Sequence, residues 1–201
     1  MLEITLELNV IYPLYPDPFL SVTMLDDQRH VESMEYAQRL LADVLRANKI
    51  SDIPELEPVG VNDPFLQWAC NSMGSADWVT CYFAACLGRE MVKSGKTPAA
   101  SKYLKPFVEG RAQLPQQAFA LYPNVTTYPN KPIHIAYRLW LVDQWRDEKP
   151  QWYGAAHKFR VWSELEGMLV ESIKFQAIRL NKFITSFGLD DFLKVQMIDL
   201  S

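Results

Sequence analysis

Glycine-rich loops, cysteine pairs and zinc motifs are all missing from this chain. Its eight glycines form neither G-x-x-x-x-G-K-[ST] nor G-x-G-x-x-G, which argues against a P-loop kinase and a Rossmann oxidoreductase. The G-x-S-x-G elbow of serine hydrolases and the H-E-x-x-H zinc motif do not occur either. Three cysteines without C-x-x-C spacing predict free thiols in a reducing compartment. We therefore expect no metal and no cofactor.

Long apolar runs are missing as well. No stretch of 18 or more apolar residues occurs, and the first seven residues alternate in polarity and carry acidic groups. This pattern predicts neither a membrane span nor a signal peptide, so we expect a cytoplasmic protein with no membrane partner. With 201 residues and 49% hydrophobic content, the chain can bury one substantial core. We expect a single domain over 1–201.

Hydrophobic periodicity predicts a mostly α-helical domain with one short N-terminal β-strand. The alternation over 4–12 predicts the strand, and Asp63 followed by Pro64 predicts the start of a short helix. The other predicted helices cover 24–48, 76–94, 98–108, 113–120, 133–147, 157–186 and 190–197. Residues 1–22 then hold the strand and a proline-rich lead-in, 23–155 the helical core, and 156–201 the C-terminal helices.

The first long helix carries polar groups where a packing helix would avoid them. Thr23 and Asp26 have the spacing of a capping box at its start. A helical wheel places Asp27, His30 and Gln38 inside the apolar stripe. Buried carboxylates and imidazoles cost free energy unless they are paired or functional. This helix is therefore the best candidate for a site.

Two interpretations of these polar residues remain open. In the structural one, Asp27 caps the helix, His30 bonds to the backbone, and Gln38 completes the network. In the functional one, Glu35 or Asp27 is a general acid or base, and Arg39, one turn beyond Glu35, contacts an anion. A carboxylate and an arginine one turn apart suit chemistry on a phosphate-bearing substrate.

Aromatic residues make up 12% of the chain, including six tryptophans. In a helical protein most of them belong to the core. A minority, such as Trp68, could stack against an extruded base, which an enzyme acting on a nucleotide requires. Arg138, beside Tyr137, is the basic residue that we expect nearest to such a pocket.

Several short motifs follow one another in a suggestive order. They are LDDQRH at 25–30, EYAQ at 35–38, NDPFLQW at 62–68, DW at 77–78, AYR at 136–138 and KPQW at 149–152. In this order the chain resembles small phage and bacterial proteins grouped with the pyrimidine-dimer DNA glycosylases. The resemblance implies a largely helical core.

The resemblance also implies a set of site residues. In those proteins a glutamate on the helix after an Asp-x-His type segment is catalytic, and Glu35 best matches it. Asp27 and His30 would orient Glu35 or the attacking group. Together with the helical wheel, the aromatic residues and the motifs above, this predicts substrate binding by Gln38, Arg39, Asn62, Asp63, Trp68, Tyr137 and Arg138.

The chain departs from that group at positions that bear on the reaction. Asn62-Asp63-Pro64 stands where the group has Asn-His-Pro. The group uses as nucleophile the N-terminal amine that is exposed when Met1 is removed, but the bulky Leu2 of this chain would prevent that removal. Phages also use glycosylase-like helical proteins to join an amino acid or amine to an activated 5-methyl group of thymine. We therefore expect a phage-type enzyme acting on a pyrimidine base in DNA, by excision or by hypermodification. Its partner would be DNA with an extruded or single-stranded base, or a nucleotide.

The charge distribution allows an alternative to an enzyme acting on DNA. Residues 1–63 hold 4 basic and 12 acidic residues, whereas 64–201 hold 16 and 12. The densest basic segment is either a solvated face or a phosphate-binding surface; it contains Arg89, Lys93, Lys96, Lys102, Lys105 and Arg111. The acidic N-terminal third could instead dock a non-catalytic, phage-encoded protein onto a basic host partner.

Overall fold

In the part of the chain that the structure describes, the regular structure consists of helices α1 to α6 and two 3-10 turns. The structure, a computed structural model, describes residues 10–50, 54–117 and 119–147. The helices are α1 (Pro18–Thr23), α2 (Asp27–Ala47), α3 (Pro64–Cys70), α4 (Met73–Ser94), α5 (Leu104–Gly110) and α6 (Ile133–Asp147). The 3-10 turns are Ala99–Tyr103 and Arg111–Gln113. The prediction of a mostly helical protein is confirmed for this part of the chain.

The predicted N-terminal strand is not found where it can be checked. Residues 10–14 have no regular secondary structure, and residues 1–9 lie outside the described residues. The predicted helices at 157–186 and 190–197 lie outside them too. Among the helices that are described, none combines the length and hydropathy needed to cross a membrane.

The start of α2 differs from the prediction, because a short helix precedes it. Asp17 caps α1 by accepting hydrogen bonds from the amides of Phe19 and Leu20 at 2.7 and 3.0 Å. Thr23 ends this helix, and its hydroxyl donates to the Leu20 carbonyl. Asp26, not Thr23, caps α2. The prediction of a capping box at Thr23 was therefore wrong. Asp26 stands directly before the first turn of α2, and its carboxylate is the acceptor that caps this helix.

The boundaries of α3 and α4 follow their capping residues. Asp63 caps α3 and Pro64 begins it, as predicted. Ser72 caps α4, so this helix begins at Met73, three residues earlier than predicted. The helix ends before Gly95, whose φ of 70° is the left-handed conformation that glycine adopts without strain.

The segment after α4 is less helical than predicted. The expected helix at 98–108 is split between the 3-10 turn Ala99–Tyr103 and α5. The predicted helix at 113–120 does not form in the residues described there. Leu114 is extended, with ψ of 157°, because Pro115 follows it and disfavours the helical conformation of the residue before it. In contrast, α6 has the predicted bounds.

The core lies between α4 and the helices around it. Helix α4 packs against α1, α2, α3 and α5, and its centre from Ser75 to Gly88 is buried. Helix α2 contacts α4 on one side and α3 on another. As a result, buried side chains cover more of the circumference of α2 than a single apolar stripe would cover.

Candidate functional site

A set of hydrogen-bonded polar residues lies where α2 meets the start of α3. The Tyr36 hydroxyl donates a 2.7 Å hydrogen bond to Oδ1 of Asp63. The same oxygen accepts from the backbone amides of Phe65 and Leu66 at 2.9 and 3.0 Å. The Asp63 carboxylate is thus fixed by one side chain and by the first turn of α3.

Tyr36 is fully buried. Burial, followed by the neighbouring Asp63 carboxylate, raises the pKa of Tyr36 well above its ordinary value, while the charge of Arg39 opposes this. The phenol therefore stays protonated and acts as a donor to Asp63. Arg39 follows Tyr36 by three residues, so the two residues are neighbours on the surface of α2.

Glu35 and Arg39 are one helical turn apart, so their side chains share a face of α2. Glu35 is exposed and Arg39 is half-buried. Within the part of the chain that the structure describes, neither forms a hydrogen bond or an ion pair. Both charged groups are consequently available to a ligand.

Asn62 completes this region. It is exposed in a tight turn in which the Asp63 amide donates to the Gly60 carbonyl at 3.1 Å. Gly60 has φ of 111°, a conformation that favours glycine. Four of the predicted site residues therefore lie around a fifth residue, Tyr36. We call this set the Tyr36 cluster: Glu35, Tyr36, Arg39, Asn62 and Asp63.

Tyr137 and Arg138 lie on α6, and each donates to a backbone carbonyl outside the Tyr36 cluster. The Tyr137 side chain is buried, and its hydroxyl donates to the Pro123 carbonyl at 2.7 Å. Arg138 donates from Nε to the Leu14 carbonyl at 2.9 Å, and its guanidinium lies 3.9 Å from the centre of the Tyr15 ring. Arg138 thus holds the segment before α1.

Asp27 joins α2 to α4. Its two oxygens form ion pairs with Arg89 at 3.1 Å and Lys93 at 3.2 Å. Arg89 also donates to the carbonyls of Val22 and Leu25 near the end of α1. Asp27 lies two helical turns from Glu35, so the two carboxylates are not brought together.

His30 is packed between α2 and α4 with no exposed surface. Its Nε2 lies 2.9 Å from the Cys86 carbonyl, and since a carbonyl only accepts, Nε2 carries the proton. Burial, assisted by the charge of Arg89, lowers the pKa of His30 to about 3. The imidazole is therefore neutral. This arrangement is the backbone-bonded histidine of the structural interpretation.

Trp68 and Gln38 are also enclosed. The Trp68 indole donates to the Ala120 carbonyl at 3.0 Å, and its ring packs edge-on against Phe65, which in turn packs edge-on against Tyr36. Gln38 is half-buried, and its Oε1 is buried with no partner in this part of the chain. Trp68 is thus linked to the Tyr36 cluster through Phe65, as part of the core.

Three of the six cations in the basic segment at 89–111 are paired within the fold. Arg89 and Lys93 pair with Asp27, and Arg111 forms a 2.9 Å ion pair with Asp77. The remaining cations are exposed; they are Lys96, Lys102 and Lys105. The segment therefore does not present six free charges to phosphate.

The sequence reasoning missed two features that organise this region. Tyr36 was not singled out, although it follows Glu35 in the EYAQ motif. The second is a buried network around Asp26, whose Oδ2 accepts from Arg29 at 2.9 Å and from the Trp145 indole at 2.7 Å. The only sign of this network in the sequence is the position of Asp26 at the start of α2.

Comparison of the chain with protein-family models, with curated proteins and with solved structures finds no match. In residues 10–50, 54–117 and 119–147, no three His, Cys, Asp or Glu side chains are grouped so as to hold a metal ion. The arguments about function therefore begin from the Tyr36 cluster.

Proposed function

We propose that the protein is an enzyme that acts on a pyrimidine base in DNA, with the Tyr36 cluster as its active site. The observation that carries this proposal is the pair formed by the exposed Glu35 and the half-buried Arg39 beside the fixed Tyr36–Asp63 hydrogen bond. An unpaired carboxylate supplies an acid or base, and an unpaired arginine supplies an anion contact. The two lie one helical turn apart, next to groups that are already held in place.

The cluster is compatible with both reactions expected from the sequence. In base excision, Glu35 takes a proton from a water molecule as its oxygen bonds to C1′ of the sugar and the base leaves with the bonding electrons. In group transfer, an amine nitrogen bonds to the 5-methylene carbon, an anionic leaving group departs, and Glu35 takes the amine proton. Arg39 would stabilise the phosphate or the anionic leaving group.

The other predicted residues take supporting roles in this proposal. Asp27 and His30 are positioning residues, because their contacts with α4 hold the helix that carries Glu35. Tyr137 fixes the segment before α6, because its hydroxyl donates to the Pro123 carbonyl. Asn62 offers an amide that can read the edge of a base.

Mass spectrometry of nucleosides tests the proposal. Wild-type protein is incubated with a UV-irradiated duplex, and separately with an amine and a duplex whose pyrimidines carry an activated 5-methyl group. An abasic sugar supports excision, because the released base of a UV-induced dimer stays joined to the neighbouring base, and a heavier nucleoside supports transfer. Unchanged nucleosides from both duplexes would reject the proposal.

Two matched variants test the role of Glu35 as the acid or base. Glu35→Gln removes the acid or base and should lower turnover by about 10²-fold or more. Glu32→Gln makes the same change one turn earlier, at an exposed residue whose carboxylate accepts from Gln28 at 2.9 Å. The control variant should keep wild-type turnover. Equal activity of the two variants would remove Glu35 from the active site.

The surface of the N-terminal third supports a second candidate, a non-catalytic protein that binds a basic partner. Arg29 pairs with Asp26, and Arg46 pairs with Asp43, so these cations are neutralised within the fold. The carboxylates left exposed are Glu32, Glu35, Glu55 and Glu57. If this candidate is correct, Glu35→Gln and Glu32→Gln should weaken partner binding equally, and this binding should fall with added salt.

A further inference from the structure

Helix α6 exposes apolar side chains on the side away from the core. Ile135 and Leu139 are 41% and 36% exposed, and Val142 is half-buried. Their spacing of four and then three residues places all three on one side of the helix. The opposite side is buried; it carries Ala136, Tyr137, Trp140 and Leu141. Helix α6 is thus apolar on two sides, which is typical of a helix with packing partners on both.

The loop before α6 adds to this surface. Phe119 and Leu121 are 44% and 89% exposed. The Tyr122 ring packs against the His134 ring in the first turn of α6, with 5.2 Å between centroids. Four of the five exposed large apolar residues in the described part of the chain therefore belong to α6 or to this loop. Such grouping marks an interaction surface, whereas single exposed residues need no explanation. We call this set the α6 surface: Phe119, Leu121, Ile135, Leu139 and Val142.

The sequence after α6 contains a second apolar stripe. Helix α6 ends at Asp147, the chain continues to residue 201, and the longest helix predicted from the sequence covers 157–186. This stretch lies outside the described residues. On a helical wheel with Trp162 at 0°, the large apolar residues up to 184 that fall within about 60° are Leu165, Leu169, Ile173, Leu180, Phe183 and Ile184. Glu166 is the only charged residue of 162–184 among them. An apolar stripe of this kind needs an apolar surface to cover it.

The short connection favours this stripe over a second copy of the protein as the partner of α6. Residues 148–156 contain Pro150 and Gly154, which favour a turn. Consecutive helices joined by short connections usually pack side by side. A segment tethered in this way has an effective concentration in the millimolar range, far above that of a second copy in a micromolar solution.

We propose that the α6 surface is an internal docking site, covered by the apolar stripe of residues 157–186 packed antiparallel to α6. When residue 157 lies level with the end of α6, a rise of about 1.5 Å per residue brings Leu165 level with Leu139 and Leu169 level with Ile135. A helix of this length would extend beyond the start of α6 and so reach the loop with Leu121. The proposal does not depend on the reaction assigned to the Tyr36 cluster.

Thiol labelling of the full chain tests whether the surface is covered. Leu139→Cys places a thiol in the middle of the α6 surface. Val61→Cys is the control, because Val61 is 84% exposed and lies outside that surface. Covered by the stripe, the thiol at position 139 should react at least about tenfold more slowly than the thiol at position 61. Peptide mass spectrometry separates both from the native cysteines.

Substitutions in the stripe, combined with Leu139→Cys, identify what covers the surface. Leu165→Asp together with Leu169→Asp places two charges in the stripe, so labelling at position 139 should rise about tenfold or more. Glu164→Lys changes a charge near 200° on the wheel, outside the stripe, and should leave the labelling within about twofold.

Two native cysteines report on the fold in the same experiment. Cys81 and Cys86 are fully buried in α4, so slow labelling of both shows that the core is intact. If the double substitution exposes them, Leu165→Ala is a milder change that keeps the core protected. It should still raise labelling at position 139 several-fold, and a rate equal to that of Leu139→Cys alone would overturn the proposal.

Other results would contradict the proposal directly. Labelling at position 139 as fast as at position 61 would show that the surface is uncovered. Protection that Leu165→Asp with Leu169→Asp does not change would show that another partner covers it. In that case a doubled mass in light scattering would identify a second copy of the chain, and an unchanged mass would identify a different segment of the same chain.

Discussion

The buried histidine gives a prediction about stability and pH. His30 has no exposed surface, and its pKa is lowered to about 3 by burial and by the charge of Arg89. In the unfolded chain the imidazole recovers an ordinary pKa of about 6.5. Between these two values the unfolded state binds one more proton than the folded state. The contribution of His30 is therefore complete above pH 6.5 and is lost as the pH falls toward 3.

The size of the effect follows from this difference. Each pH unit between the two pKa values changes the free energy of unfolding by about 1.4 kcal/mol. At pH 5.0, about 1.5 units below the unfolded pKa, His30 should cost the fold about 2 kcal/mol. Asp17 and Asp77 act in the opposite direction, because burial raises the pKa of each carboxyl in the folded state. His134 acts in the same direction as His30, because burial lowers its pKa as well. The pH dependence of wild type therefore contains more than the His30 contribution.

Urea unfolding of wild type and His30→Gln at pH 7.5 and pH 5.0 isolates the contribution. The glutamine amide can still donate to the Cys86 carbonyl but does not titrate. Wild type should lose about 2 kcal/mol more than the variant between the two pH values. The absolute stability of the variant does not enter this comparison. Equal losses would show that His30 is protonated in the fold without penalty, which would refute the reasoning from burial.

Two further predictions concern hydrogen bonds around α2. Tyr36→Phe removes the donor to Asp63 and should cost about 1 to 2 kcal/mol in urea unfolding; a stability equal to wild type would show that the bond contributes nothing. Asp26→Ala removes the α2 cap and leaves Arg29 buried without its carboxylate, so it should cost at least 3 kcal/mol. A change in melting temperature of only a degree or two for this variant would contradict the burial of the pair.

Elements with strong local signals could be predicted from the sequence. Helix α6 has the predicted bounds, and Asp63 with Pro64 marks the start of α3. The choice between Thr23 and Asp26 as a cap depends on the short helix α1, which itself depends on Asp17 and Pro18. Asp17, Thr23 and Asp26 all have side chains that can cap a helix, and local propensity does not show which of them does so.

The site depends on tertiary contacts that a helical wheel does not contain. The wheel assumes one apolar face, and it places Tyr36 about 120° from the centre of that face. Because α2 packs against α3 as well as α4, Tyr36 is buried and meets Asp63, 27 residues further along the chain. The same reasoning correctly marks His30 as an unusual residue, but only the Cys86 carbonyl shows that its contact is with the backbone.

The network around Asp26 has a consequence for synthesis of the protein. Asp26 and Arg29 are in place once α2 forms, but the indole of Trp145 and the amide of Gln144 come from α6, more than 110 residues later. A nascent chain that has not yet reached α6 therefore holds an ion pair whose remaining hydrogen bonds only water can satisfy. Completion of the fold should be delayed until α6 has left the ribosome, because contacts so distant in sequence form late. Chains truncated before Trp145 should be poorly folded even though they contain helices α1 to α5.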